Sequence, residues 1–428
     1  MATRARQIAF RLLGRVGRST LPLADLLAAS GADALPARDR DLVHELTLGT
    51  LRRRGRLDHV LEPLVDRPLS RLDEAVRNAL RLGAYQLLFT RVPAHAAISE
   101  AVDLARAVRG GGAGLVNAVL RRLDRDGPRA LPDAASDALG WLTTEGSLPP
   151  WLAERWLARL SAPVAVARAQ AALAVPQTIF RLNPRHADAA AHLEAAGVLS
   201  RPLAVPRALG LEHGRLAPHL EAGLAYAQDL GSQLVAQLAA APGTTLDACA
   251  APGGKALLIA DEVGATGRVI AAEPSARRLA SLAAAVARWG ATNVHCVRAD
   301  ARRPPFCRGF ATVLLDAPCT GLGTLARNPD IRWRASPENL QRQSERQREL
   351  LLALAPTVEP GGRLVYSTCS LEPEETTDVV AAFLDAAPGF EPAAVPGWAE
   401  PFRVGSAHGT CPERDTGDGF YVAVLGRR

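Results

Sequence analysis

The sequence predicts a multidomain protein: an all-α unit at the amino-terminal end, a small mixed α/β piece, and a doubly wound, Rossmann-like α/β unit filling the second half. Three observations predict it. From Arg4 to about Arg125 apolar residues recur at helical spacing without strand-like alternation. A stretch rich in Pro, Ala, Asp and Gly then interrupts the pattern. From about Gln228 onward, short apolar strands alternate with helical segments. A chain of 428 residues is long enough for two or three separate cores.

In the first unit, residues 1–130, helical spacing is clearest at Ile98, Val102, Leu104 and Ala105, and again at Leu115, Val119, Leu120 and Leu123. Breaks at Gly31, at Pro68, at 91–93 and in the glycine run 110–114 divide it into six or seven helices, which implies a bundle. Residues 131–150 read as a linker ending at Pro149 and Pro150. The small unit, 151–227, starts at Trp151 with two helical stretches, followed by a strand in TIFRLN and a helix in AAAHLEAAG. The last unit, 228–428, carries strands in TTLDACA, RVIAAE, NVHCVRAD, ATVLLDAP, GRLVYSTC and GFYVAVLGR. Strand and helix repeated in this way place ligands at the carboxyl ends of the strands.

Charge is unevenly spread. The chain has a formal charge of +6, yet residues 1–130 alone carry 22 Arg against 14 acidic residues. The basic character therefore belongs to the helical unit, where Arg52, Arg53 and Arg54 form a candidate contact for a polyanion. No cationic leader precedes an apolar stretch and no apolar run approaches the length of a membrane span, so a cytoplasmic protein without membrane contact is expected. Six cysteines (Cys249, Cys296, Cys307, Cys319, Cys369 and Cys411) include no C-x-x-C pair, so neither disulfides nor a metal site is expected. The only lysine, Lys255, stands in the most glycine-rich motif of the second half, which points to a position needing a compact ammonium.

That motif, DACAAPGGK, begins at Asp247 and runs from a strand end into a tight turn before a helix. Gly253 and Gly254 let backbone N–H groups approach a bound molecule closely. The pattern is neither G-x-G-x-x-G nor a Walker A loop, which argues against nicotinamide dinucleotides and ATP. Glu273 ends the next strand, where a carboxylate can accept hydrogen bonds from ribose hydroxyls, and Asp300 ends the third, positioned for an adenine edge. Together these strand ends suit an adenosine-containing cofactor without a long phosphate chain. DAPCTGLG, from Asp316, and YSTCS, to Ser370, bring Cys319 and Cys369 to neighbouring strand ends over one crevice. Two thiols there suit attack on a pyrimidine: a thiolate adding to C6 of cytosine turns C5 into a nucleophile, and a carboxyl such as Asp316 can stabilise the proton taken up at N3.

With these motifs in hand, the sequence resembles the Nop2/Sun family of RNA cytosine-C5 methyltransferases. DACAAPGGK, AAEPSARRL, LLDAPCTGLGTLARNPDIRW, LVYSTCSLEPEE and DGFYVAVL carry the resemblance in the second half. LRLGAYQLLF, VPAHAAISEAV and LVNAVLRRL resemble the NusB-like helical domain of one subgroup. The resemblance implies a NusB-like, RNA-binding all-α domain, a class I methyltransferase domain and a small RNA-facing subdomain. It also implies S-adenosyl-L-methionine as cofactor and small-subunit rRNA, met before ribosome assembly is complete, as partner of a monomer that does not act on DNA. On the matching positions, Cys249, Ala250, Ala251, Pro252, Gly253, Gly254 and Lys255 would form the cofactor turn. Glu273, Arg278, Asp300 and Asp316 would complete that pocket, Cys369 would attack C6, and Cys319 would help release the product. Arg181, Asn183, Gln228 and Asp229 fall where the family has its RNA-facing subdomain. Glu273 replaces the family's usual Asp, Ala256 stands where Thr is frequent, and CPERDTGDGF lacks the usual aromatic and histidine residues. A tRNA cytosine as target, and a non-catalytic NusB-like RNA-binding factor, are the alternative readings.

Overall fold

A computed structural model describes residues 2–19, 21–107, 111–306 and 309–428. Cys307 and Gly110 lie outside them. The chain divides into two compact units, Met1–Val175 with Leu325–Arg334, and Pro176–Thr324 with Ala335–Arg428.

The first unit is helical: α1 (Arg4–Val16), α2 (Leu23–Ala28), α3 (Ala37–Arg52), α4 (Arg54–Leu61), α5 (Glu74–Phe89), α6 (Ala94–Arg106), α7 (Ala113–Asp126), α8 (Ala138–Thr143), α9 (Pro150–Arg159) and α10 (Ala162–Leu173). The periodic residues face inward, with Ile8, Leu12, Leu46, Leu57, Leu80 and Leu120 buried in one core. Gly83 is needed in α5 because a Cβ there would lie 2.4 Å from Leu120. The stretch read as a linker is ordered. Asp137 caps α8 by accepting from the Gly140 N–H, and Leu142 and Leu148 are buried. Glu145 takes an ion pair from both Arg53 and Arg56, while the Ser147 hydroxyl accepts from the Gly55 N–H. The helices after Trp151 belong to this unit, which extends to Val175.

The second unit opens with a small antiparallel sheet from β1 (Ile179–Leu182), β2 (Leu199–Pro202), β3 (Leu209–His213) and β4 (Ala225–Ala227), in the order β2-β3-β1-β4, with α11 (Ala189–Ala195) and α12 (Ala217–Glu221) between strands. The large unit follows as α13 (Leu230–Ala239), β5 (Thr244–Asp247), α14 (Gly254–Val263), β6 (Arg268–Ala272), α15 (Ala276–Trp289), β7 (Val294–Val297) and β8 (Phe310–Asp316). After α16 (Ile331–Arg334), which lies in the first unit, come α17 (Pro337–Leu354), β9 (Val358–Thr368), α18 (Thr377–Ala386), β10 (Phe390–Pro392), β11 (Arg403–Val404), β12 (Ala407–Thr410) and β13 (Phe420–Arg427). Its sheet runs β11-β12-β13-β9-β8-β5-β6-β7, with β10 on β13; the steps from β9 to β7 are parallel and β13 is antiparallel to β9. The Rossmann-like class predicted from the sequence is therefore observed. The chain passes from β5 outward to β6 and β7, then returns to the other side of β5 as β8. This reversal opens a crevice at the carboxyl ends of β5 and β8.

The segment Leu325–Arg334 leaves this fold to join the helical unit. Its anchor is Arg332, fully buried, which donates to the carbonyls of Arg52, Gly146, Ser147, Ala172 and Leu325. Beside it the Trp333 indole N–H donates to the Leu51 carbonyl at 2.8 Å. The arginine triplet read as one cationic cluster is thereby split. Arg52 is buried and donates to the Ala326 carbonyl, Arg53 pairs with Glu145, and Arg54 has a long ion pair to Asp58 at 3.9 Å. Among the described residues, no helix is long and apolar enough to cross a membrane.

Candidate active site

β5 ends in a buried acid. The Asp247 carboxylate is 1% exposed and no side chain donates to either of its oxygens. Burial, helped by the charge of Asp316, pushes it up to about 7, and Lys255 offsets only part of this. After it the chain turns through Cys249, Ala250, Ala251, Pro252 and Gly253 into α14. Gly253 has φ +116°, where a side chain would be strained, and its Cβ would lie 2.9 Å from Leu282.

Asp247 and the turn from Cys249 to Pro252 line a cavity of about 250 Å³ together with Gly254, Lys255, Asp316, Tyr226, Gln228, Asp229 and Ser232. Cys249 lies in its wall as an inert thiol, pushed up to about 12 by burial and the surrounding carboxylates. The Lys255 ammonium donates to Asp316 Oδ2 at 2.7 Å and lies 5.2 Å from the centroid of the Phe420 ring. Burial disfavours the charge on Lys255, but the Asp316 carboxylate outweighs it and its pKa is raised. The other Asp316 oxygen accepts from the Ser367 hydroxyl at 2.8 Å.

β8 and β9 are parallel neighbours, so the loops that leave their ends run side by side. They bring the Cys319 and Cys369 sulfurs to 3.2 Å. Cys319 is pushed well above the ordinary thiol range, first by its hydrogen bond to Cys369, then by burial and by the charges of Glu375 and Asp316. The Cys319 loop is braced from behind. Glu375 Oε1 accepts from the Thr320 N–H at 2.8 Å and from Gln347 Nε2 at 3.2 Å, and Oε2 accepts from the Thr320 hydroxyl at 2.5 Å. The Gly323 N–H donates to the Cys369 carbonyl, and the Gly419 N–H to the Gly323 carbonyl. A Cβ on Gly323 would lie 2.1 Å from the Gly419 oxygen, so only glycine fits.

The remaining expected cofactor residues fall into two cases. Glu273, 1% exposed, accepts from the Ser275 N–H and pairs with Arg278, whose other nitrogen donates to the Ala251 carbonyl; Arg278 thus ties β6 to the turn. Asp300 follows β7, but its half-exposed carboxylate is held by Arg302, which lowers it to about 2. It does not line the cavity.

Arg181 and Asn183, expected to face RNA, are buried instead. Arg181 lies over the Trp289 ring at 4.5 Å, pairs with the buried Asp261 at 2.7 Å, and donates to Gln228 and the Gly254 carbonyl. Asn183 donates to the carbonyls of Gly223 and Trp289. Arg181 ties the small sheet to α14 and Asn183 ties it to the end of α15, because a buried guanidinium or amide needs its donors satisfied. Gln228 and Asp229 line the cavity rather than a separate surface. Sequence reasoning missed two functional candidates. Asp247 had a readable signal, the strand-end acid before a glycine turn, whereas the partners of Glu375 are too remote in sequence to suggest its role.

A family model described as 16S rRNA methyltransferase RsmB/F matches residues 236–426, and the NusB family model matches residues 3–125. Among curated proteins, the chain is 38% identical to a Mycobacterium tuberculosis methyltransferase, over 99% of this chain and 96% of that one. It is 34% identical to the ribosomal RNA small subunit methyltransferase B of Pseudomonas syringae pv. tomato, over 92% and 90%. Among solved structures, the crystal structure of PH0851 superposes with a TM-score of 0.80 at 26% identity, covering 99% of both chains.

Proposed function

The chain belongs to the RsmB/F family of S-adenosylmethionine-dependent rRNA methyltransferases, and from that premise we propose that it methylates C5 of a cytosine in small-subunit rRNA through a covalent bond to Cys369. The observation that carries this reading is the pair of sulfurs 3.2 Å apart at the ends of two parallel strands. A site needing one nucleophile and one proton-handling group has both on adjacent loops.

The cavity fits the cofactor on its own evidence. Asp247 presents buried oxygens to which no side chain donates, and an ammonium such as that of a methionine moiety would satisfy them. The turn from Cys249 to Lys255 would pack against the rest; outside the lining of this cavity, Glu273 after β6 and Asp300 after β7 are the candidates for the ribose and the adenine by position. When bound, S-adenosylmethionine supplies an electrophilic methyl group.

The Cys369 sulfur adds to C6 of cytosine as its thiol proton passes to ring N3, where Asp316 accepts the new N–H and holds the base. The new enamine makes C5 nucleophilic, a C5–CH3 bond would form as the bound cofactor gives up its methyl group, and N3 passes its proton through Asp316 to solvent. Loss of the C5 proton to water then expels Cys369 as the C6–S bond breaks. Cys319 assists this last step as the group that exchanges a proton with the departing sulfur. Lys255, donating to Asp316 Oδ2, holds that carboxylate in place.

The test is a gel resistant to denaturant. With cofactor and a small-subunit rRNA transcript, Cys369→Ala gives neither methyl transfer nor adduct, whereas Cys319→Ala accumulates a covalent protein–RNA band. Full activity in Cys369→Ala overturns the assignment. Parallel reactions on tRNA, with 5-methylcytosine mapped in each product, check the substrate and the position methylated.

A further inference from the structure

The helical unit contains a second cavity, of about 320 Å³, which the methyl-transfer chemistry does not use. Its wall is cationic on one side: Arg18, Arg54, Arg77 and Arg81 converge on it, against the single lining carboxylate of Glu74. Their charges are incompletely matched. Asp58 is taken up by Arg81 through two bonds of 2.7 Å, leaving it 3.9 Å from Arg54. Arg77 donates through one nitrogen to the carbonyls of Leu69 and Ser70, and its Nε is buried without a partner, as is the Nε of Arg54. Glu74 pairs with Arg18, which is 74% exposed at the rim.

Two further features point to a ligand. The Thr50 hydroxyl lines the cavity, and although the residue is 1% exposed its oxygen has no hydrogen-bond partner. The Arg54 guanidinium lies 4.5 Å from the centroid of the Trp333 ring, so its face is covered and its donors lie in the plane around the edge. Burial and the neighbouring Arg81 bring Arg54 down to about 10, still charged at neutral pH. Unsatisfied donors around excess positive charge call for an anion with several acceptor oxygens. Leu13, Val16 and Leu51 also line the cavity and give it apolar surface, against which a sugar can pack.

We propose that this cavity is a phosphate pocket that seats one backbone phosphate of the RNA substrate, with Arg54, Arg77 and the Thr50 hydroxyl as donors and Arg18 exchanging Glu74 for the incoming anion. The proposal rests on the RNA-methylating reading above. A phosphate held here contributes affinity without sequence information.

The experiment uses the full chain and a small-subunit rRNA transcript, with binding measured by anisotropy across a salt series. Arg54→Gln and Arg77→Gln are expected to weaken binding about tenfold at about 0.1 M salt and to lower the slope of log affinity against log salt by about 0.7–0.9, one phosphate contact. Affinity for S-adenosylhomocysteine, measured by calorimetry, stays at the wild-type value. Arg18→Gln, at an exposed position that does not threaten folding, gives a smaller loss in the same direction. Wild-type slopes in folded Arg77→Gln and Arg18→Gln proteins, beside a wild type that methylates the transcript, overturn the pocket alone. A wild type that neither binds nor methylates RNA overturns the functional reading and the pocket with it. Inorganic phosphate is the second arm: if it raises the wild-type melting temperature but not that of Arg77→Gln while the RNA slopes agree, the cavity takes a free anion and the RNA assignment is wrong.

Discussion

Asp247 shows at a single residue how the charge lining the cavity is held at the expense of stability. Its carboxyl has an ordinary value of 3.8 and is pushed to about 7 in the folded protein, chiefly by burial. A raised carboxyl favours the folded state while protonated. That contribution is complete below about pH 4 and is lost as pH rises through about 7. Asp247→Asn, neutral throughout, should therefore raise the stability of the ligand-free protein at pH 8 by roughly 1–3 kcal/mol, with a flatter pH dependence between 4 and 8. The same variant should bind S-adenosylmethionine at least tenfold more weakly. Melting curves and calorimetry at pH 5 and pH 8 check both, and an unchanged stability at pH 8 would sink the account. Much of this site was legible beforehand, since the turn, Lys255, Asp316 and both cysteines sit in compact motifs. The arginines were not, because a run such as Arg52, Arg53 and Arg54 cannot say which guanidinium is buried against a carbonyl and which meets a cavity.

At the scale of elements, the parallel pairing of β8 with β9 puts the two cysteine loops beside each other. The bonds through Gly323 and Glu375 then fix their separation. Gly323→Ala forces its methyl toward the Gly419 and Cys369 carbonyls, so we expect a loss of about 1–3 kcal/mol in urea unfolding and a fall in adduct yield in the Cys319→Ala background. Wild-type stability and adduct yield together would show that the loops have more room than the distances imply. The strands themselves were readable because β8 and β9 are buried, apolar runs. The role of the small sheet was not. Arg181 and Asn183 looked like surface donors because nothing local in RLN reveals that Asp261 and the Gly223 carbonyl lie within reach.

For the whole molecule, the sequence gives the order of the two fold classes correctly but not the path of the chain between them. Leu325–Arg334 follows the Cys319 loop in sequence and belongs to the helical unit. Only packing reveals this, because the five carbonyls that receive Arg332 come from widely separated parts of the chain. A fragment of residues 1–175 should therefore melt several degrees below the same unit in the full chain, and a synthetic peptide of residues 325–334 should restore part of the difference. A fragment that melts alike with and without the peptide would deny the segment a structural role. The interleaving also sets a timetable for synthesis. A ribosome that has finished the helical half has not yet made the piece that fills it, and Arg332 reaches its carbonyls only after β5 to β8 have been translated. Unit one is thus completed late, and a gene fusion that joins these halves to new partners at a single junction would separate a module from part of its own interior.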